Sequence, residues 1–137
     1  MALPFESLEY VYLGSRDFKR DLAYYRDVLG GEVMWNLEGF GAHVAAVRLG
    51  RGPLVLLADH RPAPSTIHLF AVRDLRGTAK ALRRRGWKSE GRAFEIPNGP
   101  CLVFEDPSGN RFGIFEDVRP RPFGDEDRGR GADRKGE

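Results

Sequence analysis

Apolar and polar positions follow two alternating rhythms along this chain. Residues Leu8 to Leu13 are β-rich, and apolar and aromatic side chains at Leu8, Tyr10 and Tyr12 fall on every second position, the spacing of one strand face. Asp17 then stands where a helix N-cap belongs, with Arg20 at the third helical position. Phe18, Leu22, Tyr25 and Leu29 recur at helical spacing, which predicts one apolar helix face. Gly30 and Gly31 supply the stop. Strands are predicted at 32–37, 43–49 and 54–58, separated by Gly39 and Gly41 and by Gly-Arg-Gly-Pro at 50–53.

The second half repeats the plan. Thr66 to Val72 reads as a strand, and Asp74 is the next cap. Leu75, Ala79 and Leu82 share a helix face that ends at Gly86. Strands are predicted from Trp87 to Ser89 continuing toward Ile96, then at 101–105 and 111–116. Gly-Pro-Leu-Val-Leu-Leu at 52–57 echoes Gly-Pro-Cys-Leu-Val-Phe at 99–104. The order is βαβββ twice, which implies duplication. One such unit leaves a sheet face bare. The predicted fold is therefore α+β: two βαβββ modules, at about 7–60 and 65–117, whose strands form a curved mixed sheet around a cup with the helices outside. Residues 1–118 are expected to make one domain.

Composition narrows the options. A formal charge of +2, from 22 basic and 20 acidic residues mixed along the chain, argues against nucleic acid as a partner. Arg83, Arg84 and Arg85 end a helix, where cations complement its dipole. The single cysteine, Cys101, forbids an internal disulfide and suits a cytoplasmic, reducing location. It is read as a small buried hydrophobe and not as a nucleophile. No signal-peptide pattern opens the chain, and no apolar run suits a membrane helix, so no membrane partner is expected. Residues 119–137 alternate charges with Pro and Gly, and Phe123 is their one candidate anchor; a flexible tail is expected from Gly124 on.

Three stretches carry a resemblance: 16–33, 67–87 and Phe-Glu-Asp-Pro-Ser-Gly-Asn-Arg-Phe-Gly-Ile-Phe-Glu at 104–116. In this order, on a duplicated plan, they resemble the vicinal oxygen chelate superfamily of glyoxalases, bleomycin and fosfomycin resistance proteins and extradiol dioxygenases. Within the last stretch, Asp106, Pro107 and Gly109 also have the chemistry of a tight turn, so Asp106 and Asn110 are read as structural.

The resemblance implies a metal site of a first-strand His, a fourth-strand carboxylate, a fifth-strand His and an eighth-strand Glu. Carried over by motif, these positions hold Tyr10, Leu56, His68 and Gly113. One ligand of four remains. The family's metal chemistry is therefore expected to be absent, and no cofactor is expected; the alternative is one divalent metal near His68, helped by His43 or His60. By the same carry-over and strand alternation, Tyr10, Tyr12, Leu56, His68, Phe70, Arg111, Gly113 and Phe115 line the cup. Trp35 and Phe94 are further candidates. Such a lining suits an aromatic or planar small molecule, held as the metal-free bleomycin resistance proteins hold theirs, which makes antibiotic resistance a candidate role. The resemblance also implies a homodimer. The competing readings are an enzyme, either a divalent-metal lyase, isomerase or dioxygenase with a divergent ligand set, or a metal-free catalyst using Tyr10 or His68 as acid or base.

Overall fold

A computed structural model describes residues 3–39, 41–88 and 93–119. The predicted tail at 124–137, with Phe123, lies outside them. The described chain forms two compact units, one of residues 10–66 and the other of residues 3–9 and 67–119.

In the unit of residues 10–66, strand β1 (Ser7–Gly14) delivers the chain to α1 (Phe18–Ala23). The Asp17 carboxylate accepts from the Arg20 amide at 3.3 Å, the N-cap that the sequence implied. The helix then widens into a π-helical turn, Tyr24–Val28, in which the Leu29 amide donates to the Tyr24 carbonyl at 3.0 Å. That turn corrects the predicted apolar face. Tyr25 still packs on the core, but the wider turn rotates Leu29 outward to 48% exposure. Strands β2 (Glu32–Gly39), β3 (Ala42–Arg48) and β4 (Leu54–Ala58) follow, ordered β2-β3-β4-β1. β1 and β4 are parallel; the other pairs are antiparallel. Leu22, Ala45, Val47 and Leu57 are buried between this sheet and the helix.

The other unit repeats the order as β6-β7-β8-β5, with β5 (Thr66–Val72), β6 (Phe94–Ile96), β7 (Gly99–Glu105) and β8 (Arg111–Glu116). Helix α2 (Leu75–Arg84) starts at Asp74, whose carboxylate accepts from the Gly77 amide at 3.1 Å. Leu75 and Ala79 on α2 bury against Val72, Leu102 and Ile114. Fully burying a Val, Leu or Ile side chain of this set contributes about 1.5–3 kcal/mol, and Ala79 less. The strand predicted from Trp87 starts later. Trp87 and Lys88 are not in a strand, Ser89 lies outside the described residues, and β6 begins at Phe94. Trp87 anchors the helix exit instead, its ring edge-on to Phe104 at 5.3 Å with the Arg83 guanidinium over it at 5.4 Å.

Between β7 and β8 the turn closes on Asp106. Its carboxylate accepts from the amides of Ser108 (2.9 Å) and Asn110 (2.8 Å) and from the Asn110 side-chain amide (2.9 Å). These donors, with the Asn110 side chain foremost, hold the Asp106 carboxyl below its ordinary range. Gly109 takes φ +91°, which suits glycine. The family motif's conspicuous residues are thus occupied in shaping a hairpin.

Candidate functional site

In the unit of residues 10–66 the sheet has one face under the helix and one free of it. Pairing aligns Trp35, Ala46, Leu56 and Tyr12 in a row across all four strands of the helix-free face. Trp35 reaches that row because a bulge between Val33 and Trp35 reverses the facing of β2. Tyr10 lies on the same face two residues from Tyr12. All of these side chains are buried, Trp35 at 7% exposure and Tyr10 at 4%. The Tyr12 hydroxyl is 2.8 Å from His60 Nε2. Partial burial and the Arg61 charge lower the pKa of His60 from its ordinary value, against the opposing pull of Asp59.

In the other unit the register changes the expected lining. His68 pairs with Phe112 and Leu69 pairs with Gly113, so His68 and Gly113 point to opposite faces. Phe94, Cys101, Phe115 and Ala71 form one row, and Arg111 and Gly113 share its face. His68 and Phe70 stand on the α2 face, with rings 5.7 Å and 6.4 Å from Phe112. The expectation that His68 and Phe70 share a lining with Gly113 and Phe115 is therefore corrected. Alternation along one strand was sound, but the phase between strands comes from pairing, which composition does not reveal. The same alternation places Glu116 on the α2 face, where its carboxylate accepts from the Leu75 amide at 2.9 Å.

The residues at the implied metal positions do not fit a metal. Tyr10 and Leu56 occupy two of them, and on the face of Gly113 strand β5 presents Ile67 and Leu69 in place of an imidazole. No carboxylate could replace Gly113 without displacement, since even a Cβ there would lie 2.4 Å from Leu69 Cδ2. Leu69 fills the space beside this glycine. Among the described residues, no group of three His, Cys, Asp or Glu side chains has metal-binding geometry.

His43 lies elsewhere, in a groove of about 920 Å³ on the helix face of the unit of residues 10–66. Its Nδ1 is 2.8 Å from Asp59 Oδ2, and its own amide donates to Asp59 Oδ1 at 2.8 Å. That amide bond, ahead of the ring contact, lowers the Asp59 pKa. The imidazole stacks on Phe18 at 5.1 Å, and Nε2 is 3.6 Å from Glu38 Oε1. The sequence suggested His43 only as a helper of a metal near His68; the pairing of β3 with β4 joins it to Asp59, which follows directly on the strand end that pairs with Val44.

The family model described as "Glyoxalase/Bleomycin resistance protein/Dioxygenase superfamily" matches residues 7–114. No curated protein matches the chain. Among solved structures, methylmalonyl-CoA epimerase from Mycobacterium tuberculosis is similar at a TM-score of 0.73 and 16% identity, over 88% of this chain and 93% of that one. A Streptomyces coelicolor methylmalonyl-CoA epimerase in complex with 2-nitronate-propionyl-CoA is similar at 0.67 and 13% identity, over 83% and 99%. Likeness at these identities is likeness of fold.

Proposed function

The chain belongs to the glyoxalase/bleomycin resistance protein/dioxygenase superfamily, and from that premise we propose that it binds a planar, largely apolar small molecule without a metal. The observation that carries this reading is the replacement of chelating side chains by Tyr10, Leu56, Ile67 and Gly113 at and beside the implied ligand positions. A divalent ion needs several anionic or imidazole donors converging on it, and these side chains offer at most one phenol. What the helix-free face of residues 10–66 carries instead is a set of buried aromatic and aliphatic side chains: Trp35, Tyr10, Tyr12 and Leu56. Tryptophan and tyrosine stack on flat ligands and keep a donor for orientation. The Tyr12–His60 pair supplies a polar tip at its edge. Sequestration by stacking and apolar burial requires no bond to be made or broken. A homodimer in the cytoplasm, with drug sequestration as its role, belongs to the same proposal.

The test is direct. Protein purified without chelator is analysed for metal and titrated with Ni, Zn, Mn and Fe(II), and flat aromatic drugs are screened by tryptophan quenching. The expected result is no stoichiometric metal, with quenching abolished by Trp35→Phe and kept by Trp87→Phe. Tight binding of one equivalent of metal would overturn the reading.

A further inference from the structure

We propose that His43 and Asp59 form a proton-transfer dyad serving the groove on the helix face of residues 10–66, and that this groove takes small carbon or oxygen acids that become anionic on losing a proton. This site is independent of the helix-free face argued above.

Three observations converge on it. First, the ring is oriented. Asp59 receives both the His43 amide and the contact from Nδ1, and the Asp59 amide returns a bond to the His43 carbonyl at 3.2 Å. A carboxylate on Nδ1 selects the tautomer with its proton there and leaves the Nε2 lone pair open. The Phe18 stack holds the ring plane. Second, Nε2 is available. The imidazole is 40% exposed and lines the groove, and Glu38 at 3.6 Å is beyond hydrogen-bond distance. Third, the groove is polarised. Lys19, Leu22 and Arg26 recur along the helix at spacings of three and four, with Arg16 just before it, and all four line one wall. Asn36 and Glu38 line the other, Asp17 adds a further carboxylate, Asp27 pairs with Arg26 at 2.8 Å, and His60 acts on Asp59 from beside it.

This layout has a chemical consequence. A bound acid gives its proton to Nε2 and keeps the bonding electron pair as an anion. Lys19, with Arg16 beside it on the Ala63 carbonyl, favours that anion, while the Arg26 guanidinium is held by Asp27 at 2.8 and 2.9 Å. The imidazolium lies between the carboxylates of Asp59 and Glu38, which compensate its charge. Returning the proton to the same or another atom restores the neutral ring. His43 is the proton acceptor, and Asp59 is a positioning residue. The volume suits a ligand of small-molecule size.

Two measurements test it. In the unmodified full chain, long-range proton–nitrogen NMR of the imidazoles is expected to show the neutral His43 tautomer protonated at Nδ1. Separately, 5-nitrobenzisoxazole serves as a carbon-acid probe. A base removes its ring C–H proton, the N–O bond breaks, and a nitrile and a coloured phenolate form. The chain is expected to accelerate this elimination. His43→Gln should lose at least about tenfold of that rate, in keeping with general-base effects. Asp59→Asn should shift the tautomer and lose a comparable factor, while His68→Gln stays within about twofold. A His43 proton found on Nε2, or a His43→Gln rate within twofold of the unmodified chain, would overturn the proposal.

Discussion

Consider adding one methyl group at position 113. Gly113 is buried, and an ideal Cβ there would stand 2.4 Å from Leu69 Cδ2, 3.4 Å from Cys101 Sγ and 3.4 Å from the Leu102 carbonyl oxygen. Leu69 is fully buried, so its methyl must shift within the core. Overpacking of this kind costs about 1–3 kcal/mol. Alanine in a strand recovers about 0.5–1 kcal/mol of backbone entropy relative to glycine. Gly113→Ala should therefore destabilise by about 1 kcal/mol or somewhat more. Leu69→Ala alone should cost about 2–5 kcal/mol, because it opens a cavity in the core. The double variant is the decisive one. The new methyl then enters the space that Leu69 vacated, and the pair should be less destabilised than the sum of the singles by about 1 kcal/mol or more. Urea denaturation of the three variants reads this as shifts in midpoint at constant slope. Additive costs, or a Gly113→Ala chain more stable than the parent, would show that Leu69 does not fill this space and would reopen position 113 to a larger side chain.

Other expectations rest on single contacts. Asp74→Ala removes the acceptor of the Gly77 amide and should cost about 1 kcal/mol, visible as a Tm lowered by about 3–6 °C. His60 has a lowered pKa in the folded chain, so the unfolded chain binds its proton more readily. Stability should thus decline as pH falls below about 6.5, the ordinary imidazole value, until the folded value is passed. His60→Gln should flatten that part of a urea-midpoint profile between pH 7.5 and 5, and an unchanged slope would count against the partial burial of His60 beside Arg61. Asp106→Ala leaves the amides of Ser108 and Asn110 without their acceptor, and amide exchange across the 106–110 turn should quicken while α2 stays protected.

Much of this protein is written locally, and local physics reads it. The two aspartate caps, the glycine stops, the Asp106 turn and the doubled βαβββ order each depend on neighbours a few residues apart, so the sequence alone determined them. So did the loss of chelating side chains at Tyr10, Leu56 and Gly113, which is a matter of residue identity. Tertiary structure decided whatever depends on how one segment meets another. A π-helical turn turned Leu29 away from the core, and a bulge carried Trp35 onto the helix-free face. The pairing of β5 with β8 put His68 opposite Gly113, because alternation sets facing within a strand but only hydrogen-bonded register sets it between strands. The same kind of long-range contact joined His43 to Asp59, sixteen positions apart, into an arrangement that neither residue announces by itself.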